Sequence, residues 1–265
     1  MKTLFALTLG SILLSPLAFA QISPFSLEDR GSTLNITFLA PRGPLMPVVT
    51  GAPYSADQIS EHIQTLSDGT HVTQPGNVQH FVRDSQGRTR TDRPLLFSRE
   101  PTGWNLTVSE IRDPVAGFYY ILDAQNKVAH RFAIASTRPM ASPPAPAVAL
   151  PQKTVSNHSR PETSSEKMGS QLIEGVMADG IRATTTWPVG AQGNDRPIVV
   201  TSESWFSQDL KTAVLTRNSD PRNGENTLKL TNISRAEPDP SLFQPPPDYS
   251  TVDEKGPFTI TVARH

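Results

Sequence analysis

Short runs in which apolar and polar residues alternate recur along the chain, and this period of two residues predicts β-strands. Turn sequences rich in Asp and Gly separate successive runs and favour hairpins, because these residues accept a positive φ. Five hairpins are predicted, with turns at 67–70, 85–87, 123–126, 178–181 and 220–224. Further strand patterns cover 107–111 and 198–206.

Residues 55–66 fit two patterns. The stretch 55–58 resembles a helix capping box, with Ile59, Ile63 and Leu66 on one helical face. The two isoleucines also fit the alternating pattern of a strand, and an Asp-Gly turn follows directly. The turn favours the strand, because a hairpin needs a strand on each side of its turn.

A run of hairpins favours an antiparallel meander, and a large antiparallel sheet bends, closes or stacks to bury one face and hide its edges. We therefore predict a mainly β fold with few helices: a curved antiparallel sheet, half-barrel-like, built from successive hairpins. The Pro-rich segment 238–247 ends the series of strands. Leu242 and Phe243 in this segment are predicted to plug one end of the core.

Composition narrows the classes of protein. The 265 residues include 25 Pro and no Cys. Pro breaks helix interiors, so this content supports the β prediction, and a chain without Cys has no disulfide, thiol nucleophile or cysteine-ligated metal. The 24 basic residues nearly balance 25 acidic ones, whereas non-specific binding to nucleic acid needs a basic surface. We therefore predict no nucleic-acid partner.

The first twenty residues have the pattern of a secretory signal peptide. Lys2 supplies the positive start, 4–17 is mostly apolar, and Ala18 and Ala20 form the cleavage signal. This apolar run is shorter than the about 20 residues of a membrane-spanning helix, and no later stretch is apolar enough to span a bilayer. The sequence therefore predicts a periplasmic or secreted protein with no transmembrane segment after signal cleavage.

The chain divides at one Pro-rich stretch. Residues 136–166 contain six Pro, six Ser and no aromatic residue. Such a stretch buries too little apolar surface to offset the entropy of ordering, so we predict a flexible loop. The loop separates a first β segment, 21–135, from a second, 167–265, which we expect to complete the same domain after the signal peptide at 1–20.

Candidate binding chemistry centres on three arginines of one predicted hairpin. Arg88 and Arg90 lie two residues apart, so they point to the same face of a strand. Together with Arg83 they could hold an anionic group such as a phosphate head group. In the alternative interpretation, the arginines pair with Asp84 and Asp92 on an exposed face, where such pairs are common and weak.

Aromatic residues add two candidates. Adjacent aromatic residues, Tyr119 with Tyr120 and Trp205 with Phe206, point to opposite faces of their strands. Some aromatic surface must therefore be covered by a helix, a loop or a ligand, which favours a concave apolar pocket. Tyr120 and Trp205 therefore join Arg83, Arg88 and Arg90 as the predicted ligand-binding residues.

No catalytic residue, resident metal or cofactor is predicted. The chain has no G-x-S-x-G, Walker or G-x-G-x-x-G motif, and its six His lack the spacing of zinc proteases. His62, His71 and His80 could approach one another across strands, and three His can bind a catalytic zinc. An exported metal-dependent hydrolase that uses this His cluster is therefore kept as an alternative.

A set of short motifs resembles an uncharacterised family of secreted bacterial proteins. The motifs are YSA at 54–56, QTLSDGT at 64–70, RDSQGRTR at 83–90, DPVAG at 113–117, IEGV at 173–176, GNDRP at 193–197, SW at 204–205, DPR at 220–222, DPSLF at 239–243 and PDY at 247–249. More distantly, the all-hairpin layout and the closing Phe-Pro-Tyr element resemble LolA/RseB-like half-barrel envelope proteins, although the helices that usually plug such barrels are not evident here. This resemblance implies binding of acyl chains or lipoproteins in a curved sheet.

The predicted function is that of a non-enzymatic exported envelope protein. Its curved sheet would bind a hydrophobic or amphipathic ligand, driven by apolar burial, or a protein partner. The expected partners are a lipid, a lipoprotein or an envelope protein. Besides the hydrolase, a structural or interaction protein without a small ligand stays open, with 136–166 as a tether.

Overall fold

The computed structural model describes residues 25–29, 33–39, 47–95, 107–134 and 160–263. The predicted signal peptide and most of the predicted loop lie outside the described residues. Within the described ranges, no helix is long and apolar enough to cross a lipid bilayer.

The described ranges form β-strands and one 3-10 turn at Pro240–Phe243. The strands are β1 (Phe25–Asp29), β2 (Thr33–Phe38), β3 (Tyr54–Thr65), β4 (His71–Arg83), β5 (Thr89–Pro94), β6 (Thr107–Asp113), β7 (Phe118–Asp123), β8 (Val128–Ala133), β9 (Glu162–Ile173), β10 (Val176–Trp187), β11 (Ile198–Ser207), β12 (Thr212–Asp220), β13 (Gly224–Ser234), β14 (Ser250–Asp253) and β15 (Phe258–Ala263).

Twelve strands form one open sheet, in the order β14-β8-β7-β6-β5-β4-β3-β13-β12-β11-β10-β9. Two antiparallel meanders, β3–β8 and β9–β13, are joined where β3 pairs with β13. Only the terminal pair, β14 with β8, is parallel among these strands. The predicted mainly β fold of successive antiparallel hairpins is confirmed, and the sheet is not closed into a barrel. Strands from both predicted β segments share this sheet.

Four of the five predicted turns are confirmed. They join β3 to β4, β4 to β5, β7 to β8, and β12 to β13. The ambiguous stretch belongs to strand β3, as the turn that follows it predicts. Local turn chemistry therefore decides the structure here over the helical alternative.

The predicted turn at 178–181 is wrong, because β10 runs straight through it. The chain turns earlier, at Glu174 and Gly175, whose φ values of 48° and 77° suit a type I′ hairpin. Gly180 lies inside the strand for a packing reason. A Cβ atom there would lie 2.6 Å from the Trp205 ring, so only glycine accommodates this close approach.

Strand β9 begins inside the predicted loop. Its first residue is Glu162, so 162–166 pair with β10 instead of forming loop. Main-chain hydrogen bonds to β10 do not depend on apolar side chains, and the polar side chains stay in solvent at the sheet edge. Composition alone therefore placed the end of the loop five residues too late.

A second, three-stranded sheet lies outside the sequence prediction. It has the antiparallel order β1-β2-β15 and shares a core with β6, β7 and β8. The buried members of this core are Leu34, Ile36, Phe38, Leu95, Val108, Tyr119, Ile121, Phe132, Phe258, Ile260 and Val262. The small sheet thus covers one face of the first meander.

The opposite face of the same strands is covered by the 3-10 turn. Phe243 is fully buried against Ile111, Tyr120 and other residues of β4–β8, with Leu242 packed beside it. The predicted plug at Leu242 and Phe243 is confirmed. Strand β7 is therefore buried on both faces, which explains how adjacent Tyr119 and Tyr120 are both covered by the protein itself.

Candidate binding surface

Arg83 lies in the protein interior, with 3% of its surface exposed. Its Nε and Nη2 donate to the carbonyl oxygen of Ala52 at 3.0 and 2.8 Å, and Nη2 also donates to that of Leu210. Its guanidinium lies 4.7 Å over the Tyr54 ring, and burial lowers the pKa of Arg83. These contacts join two loops and leave the side chain inside the fold.

Arg88 and Arg90 form the ion pairs that the alternative interpretation predicts. Arg88 Nε donates to Asp84 Oδ2 at 2.5 Å. Arg90 Nε donates to the Asp92 carboxylate at 3.0 and 3.1 Å. Because each cation already has a carboxylate partner, an anionic ligand would compete with an existing pair.

The same two arginines also hold the 3-10 turn in place. The Arg88 guanidinium lies 5.1 Å from the centre of the Phe243 ring, a cation–π contact. Arg90 Nη1 donates to the carbonyl oxygen of Leu242 at 3.3 Å. The plug is thus fastened at its rim by charged side chains as well as buried at its centre.

The five predicted ligand-binding residues divide into two groups. Arg90 on β5 lies opposite Ile111 on β6, and Ile111 lies opposite Tyr120 on β7. Arg90, Tyr120 and Arg88 therefore form the first group, which surrounds the plug. Arg83 and Trp205 lie elsewhere, beside a second core under β3 and β9–β13. Tyr120 and Trp205 are both buried. The ligand-binding role of the five residues stays a prediction.

The predicted approach of three His is wrong. Each ring bonds a different neighbour at about 3 Å: His62 to Asn226, His71 to Thr65 and His80 to Asp57. His71 and His80 are nine residues apart on β4, which is about 30 Å of strand. In the part of the chain that the structure describes, no three His, Asp or Glu side chains converge as metal ligands. The hydrolase alternative therefore has no His cluster.

A row of alternating charges, here called the charge row, crosses five neighbouring strands, β9 to β13. Arg182 contacts Glu166 at 3.1 Å on one side and Glu203 at 2.7 Å on the other. Arg217 lies 4.0 Å from Glu203 and 3.2 Å from Glu225. The row is visible only once the strand register is known, because its members lie on five separate strands.

Register explains the charge row. Glu166, Arg182, Glu203 and Arg217 lie opposite one another in consecutive strand pairs. The hydrogen bonds that Arg182 donates to the Glu203 carboxylate raise the pKa of Arg182 above its ordinary value. Exposed pairs of this kind add little stability one by one, but opposite charges in register disfavour a slipped register. The row thus orders the outer part of the sheet.

The other face of β9 and β10 carries apolar side chains in solvent. Leu172 lies directly opposite Met177, and both are exposed, as is Ile181 farther along β10. Asp179 lies between Met177 and Ile181 on this face, and its carboxylate accepts a hydrogen bond from the Ser170 hydroxyl at 2.6 Å.

Two open grooves of about 460 Å³ each lie near the tips of β3–β4 and β12–β13. One is lined by His71, Asp220 and Arg222 among others, and the other by His62 and Asn226 among others. Hydrogen bonds from Arg222 lower the pKa of Asp220. Both grooves are open to solvent and lined mostly by polar residues, unlike the enclosed apolar sites of small ligands.

We expect the Asn232→Gly variant to raise the pKa of Asp57. Hydrogen bonds from Asn232 and His80 lower this pKa, because they favour the carboxylate. Asn232 has a φ of 53°, so Gly removes the side chain without backbone strain. An NMR titration should show the pKa of Asp57 rising toward the ordinary value of an aspartate.

The same experiment carries its own reference. The pKa of Asp68, which Thr70 lowers, should stay unchanged. Because the pKa of Asp57 is lowered in the folded state, its contribution to stability is present above its unfolded pKa and lost as pH falls through the folded pKa. The variant should therefore lose less stability on acidification, and an unaltered Asp57 titration would show that the Asn232 contact does not act on it.

No family model and no curated protein matches the chain. Solved structures do match at low identity. MucB of Pseudomonas aeruginosa, in complex with MucA, is 12% identical over 76% of this chain, with a TM-score of 0.36, and this chain spans 58% of it. LprF of Mycobacterium bovis is 12% identical over 71% of this chain and 90% of that one, with a TM-score of 0.28.

A third match is a putative outer membrane lipoprotein-sorting domain from Vibrio parahaemolyticus, 7% identical over 72% of this chain and 90% of that one, with a TM-score of 0.22. The predicted distant resemblance to LolA/RseB-like proteins is confirmed at this level. The resemblance to an uncharacterised secreted family stays a prediction.

Proposed function

We propose that the chain is a non-enzymatic exported envelope protein that binds a protein partner on the outer part of its open sheet, β9 to β13. The observation that carries the proposal is the charge row, in which partly exposed cations and carboxylates are held in line by their ion pairs. Side chains held in place before binding lose less conformational entropy when a partner arrives.

The shape of this surface also supports a protein partner. A second row of small hydroxyl side chains lies next to the charge row, because Thr184, Thr201 and Ser219 are opposite one another in register. Small hydroxyl side chains beside paired charges make a polar surface that extends across neighbouring strands. Small molecules favour concave apolar clefts, whereas protein partners bury broad and flat areas.

Site-specific photo-crosslinking in cells tests the proposal. A photoreactive phenylalanine analogue replaces Thr201 in the hydroxyl row or Val115, which is 65% exposed in the turn between β6 and β7. We expect a covalent adduct with one defined protein from position 201 and none from position 115. The proposal fails if position 201 gives no adduct, or if both positions give the same adducts.

A second candidate function is binding of an amphipathic anion at the plug. Phe243 fills an apolar socket, and Arg88 and Arg90 lie at its rim. An acyl chain could take the place of the Phe243 ring against Ile111 and Tyr120 while its head group meets the two cations. Arg83 and Trp205 take no part in this candidate, because they belong to the other core.

Uptake of a fluorescent fatty acid distinguishes this candidate. It expects saturable uptake by the wild-type chain and weaker uptake by the Arg88→Gln/Arg90→Gln double variant, which keeps polarity and removes the charges. No uptake by the wild-type chain removes the candidate.

A further inference from the structure

Among the described strands, β9 forms one edge of the twelve-stranded sheet and pairs with β10 alone. All of its residues are exposed except Met168 and Ile173. The main-chain groups of an edge strand that point away from the sheet have no strand partner, and an added strand can bond them. This edge is therefore a template for strand addition.

A bulge limits the usable length of the edge. The register between β9 and β10 shifts at Met168, and Gly169 has a φ of 83°. Such a bulge bends and twists the strand and interrupts pairing. The regular part of the edge is therefore 162–167.

The charge row ends on this regular part. Glu166 is its outermost member, and 62% of its side chain is exposed. The signs alternate inward from Glu166 through Arg182 to Glu203, so a strand added outside β9 would continue the alternation with a cation opposite Glu166. Glu162 lies four residues before Glu166, on the same face of β9. It therefore favours a second cation opposite it on the added strand.

We propose, resting on the proposed function, that β9 accepts an extended segment of the protein partner, with Lys or Arg opposite Glu166 and Glu162. The segment pairs with 162–167 and lengthens the sheet by one strand. Main-chain hydrogen bonds supply affinity, and the two cross-strand ion pairs select basic segments over acidic ones.

The regular parts of two β9 strands from different copies do not complement each other in charge. The cation of β9 is Lys167, and adjacent residues of a strand point to opposite faces, so Lys167 and Glu166 lie on different faces. Antiparallel pairing of two β9 strands over 162–167 matches like faces, so no cation of this regular part lies opposite Glu166. It brings carboxylates of the two copies to the same face instead, which is unfavourable.

Binding of designed peptides to the mature chain tests this inference. The probe is a ten-residue peptide of alternating Thr and Val in which two Lys stand four residues apart. The control peptide is identical except that Glu replaces each Lys. Fluorescence anisotropy should show about tenfold tighter binding of the Lys peptide, a difference of about 1.4 kcal/mol. The Glu162→Lys/Glu166→Lys variant should reverse this preference, whereas Asp248→Lys, on an exposed residue near the opposite edge, should not.

Two results separate strand addition from simple charge attraction. In an added strand, every second residue points its main-chain N–H group at β9, and the residues between them point theirs away. N-methylation of the first set should therefore abolish binding, whereas N-methylation of the second set should not. Equal effects of the two sets, or equal affinity of the Lys and Glu peptides, overturn the inference. If the adduct from position 201 also persists in the Glu162→Lys/Glu166→Lys variant, the partner binds the sheet face without the edge, and the proposed function stands alone.

Discussion

Phe243→Ala is expected to lower the free energy of unfolding by about 3–5 kcal/mol, the usual range for removing a buried phenylalanine ring. The ring is fully buried and is the centre of the core that β4–β8 form with the 3-10 turn. Its loss leaves a cavity and also removes the cation–π contact of Arg88. Chemical denaturation followed by tryptophan fluorescence measures the change.

The matched control for Phe243 is an apolar residue outside any core. Val115→Ala should change stability by no more than about 0.5 kcal/mol, because this side chain is largely in solvent. Equal stabilities of the two variants would mean that the turn at Pro240–Phe243 does not plug the sheet in solution.

Glu110→Gln is expected to destabilise the chain by about 3–5 kcal/mol, because it removes the carboxylate charge that accepts hydrogen bonds from the buried Arg93 guanidinium. Glu110 accepts hydrogen bonds from Arg93 Nε and Nη2 at 3.2 and 2.6 Å, and from the Tyr119 hydroxyl. All three side chains are buried beside the core under the small sheet. Thermal or urea unfolding gives the difference from wild type.

Removing both charges is the control for the Glu110 result. The Arg93→Met/Glu110→Leu double variant should be more stable than Glu110→Gln, because an apolar pair leaves no uncompensated buried charge. A Glu110→Gln variant as stable as wild type would show that the Arg93 charge finds full compensation elsewhere.

Hairpins are predictable from this sequence because a turn depends on a few adjacent residues. The Asp-Gly at 68–69 and the Asn-Gly at 223–224 both mark real turns. Asp179 and Gly180 show the limit of this signal, since Gly180 serves a packing contact with Trp205 and the turn forms at Glu174 and Gly175 instead. A glycine required by a distant ring looks the same in sequence as one required by a turn.

The elements that need long-range pairing are the ones that local patterns miss. The small sheet pairs β2 with β15, which lie at opposite ends of the described chain. Strand β2 has a recognisable strand pattern, because Leu34, Ile36 and Phe38 alternate with polar residues. This pattern does not indicate which strand β2 pairs with.

The candidate site shows the same limit. Arg88 and Asp84 are close in sequence, so their pairing could be anticipated as one alternative. Glu166 and Arg217 belong to one charge row only because three strand pairs are in a particular register. The binding surface that we propose therefore depends on register, which residue patterns along one strand do not specify.

Native mass spectrometry of the chain, purified without detergent from the cells that produce it, tests the central claim most directly. We predict a complex with one other protein in fixed stoichiometry, and a free chain whose mass equals that of the polypeptide. A free chain that carries the mass of a lipid, with no protein complex, would contradict a protein partner and favour the amphipathic ligand at the plug.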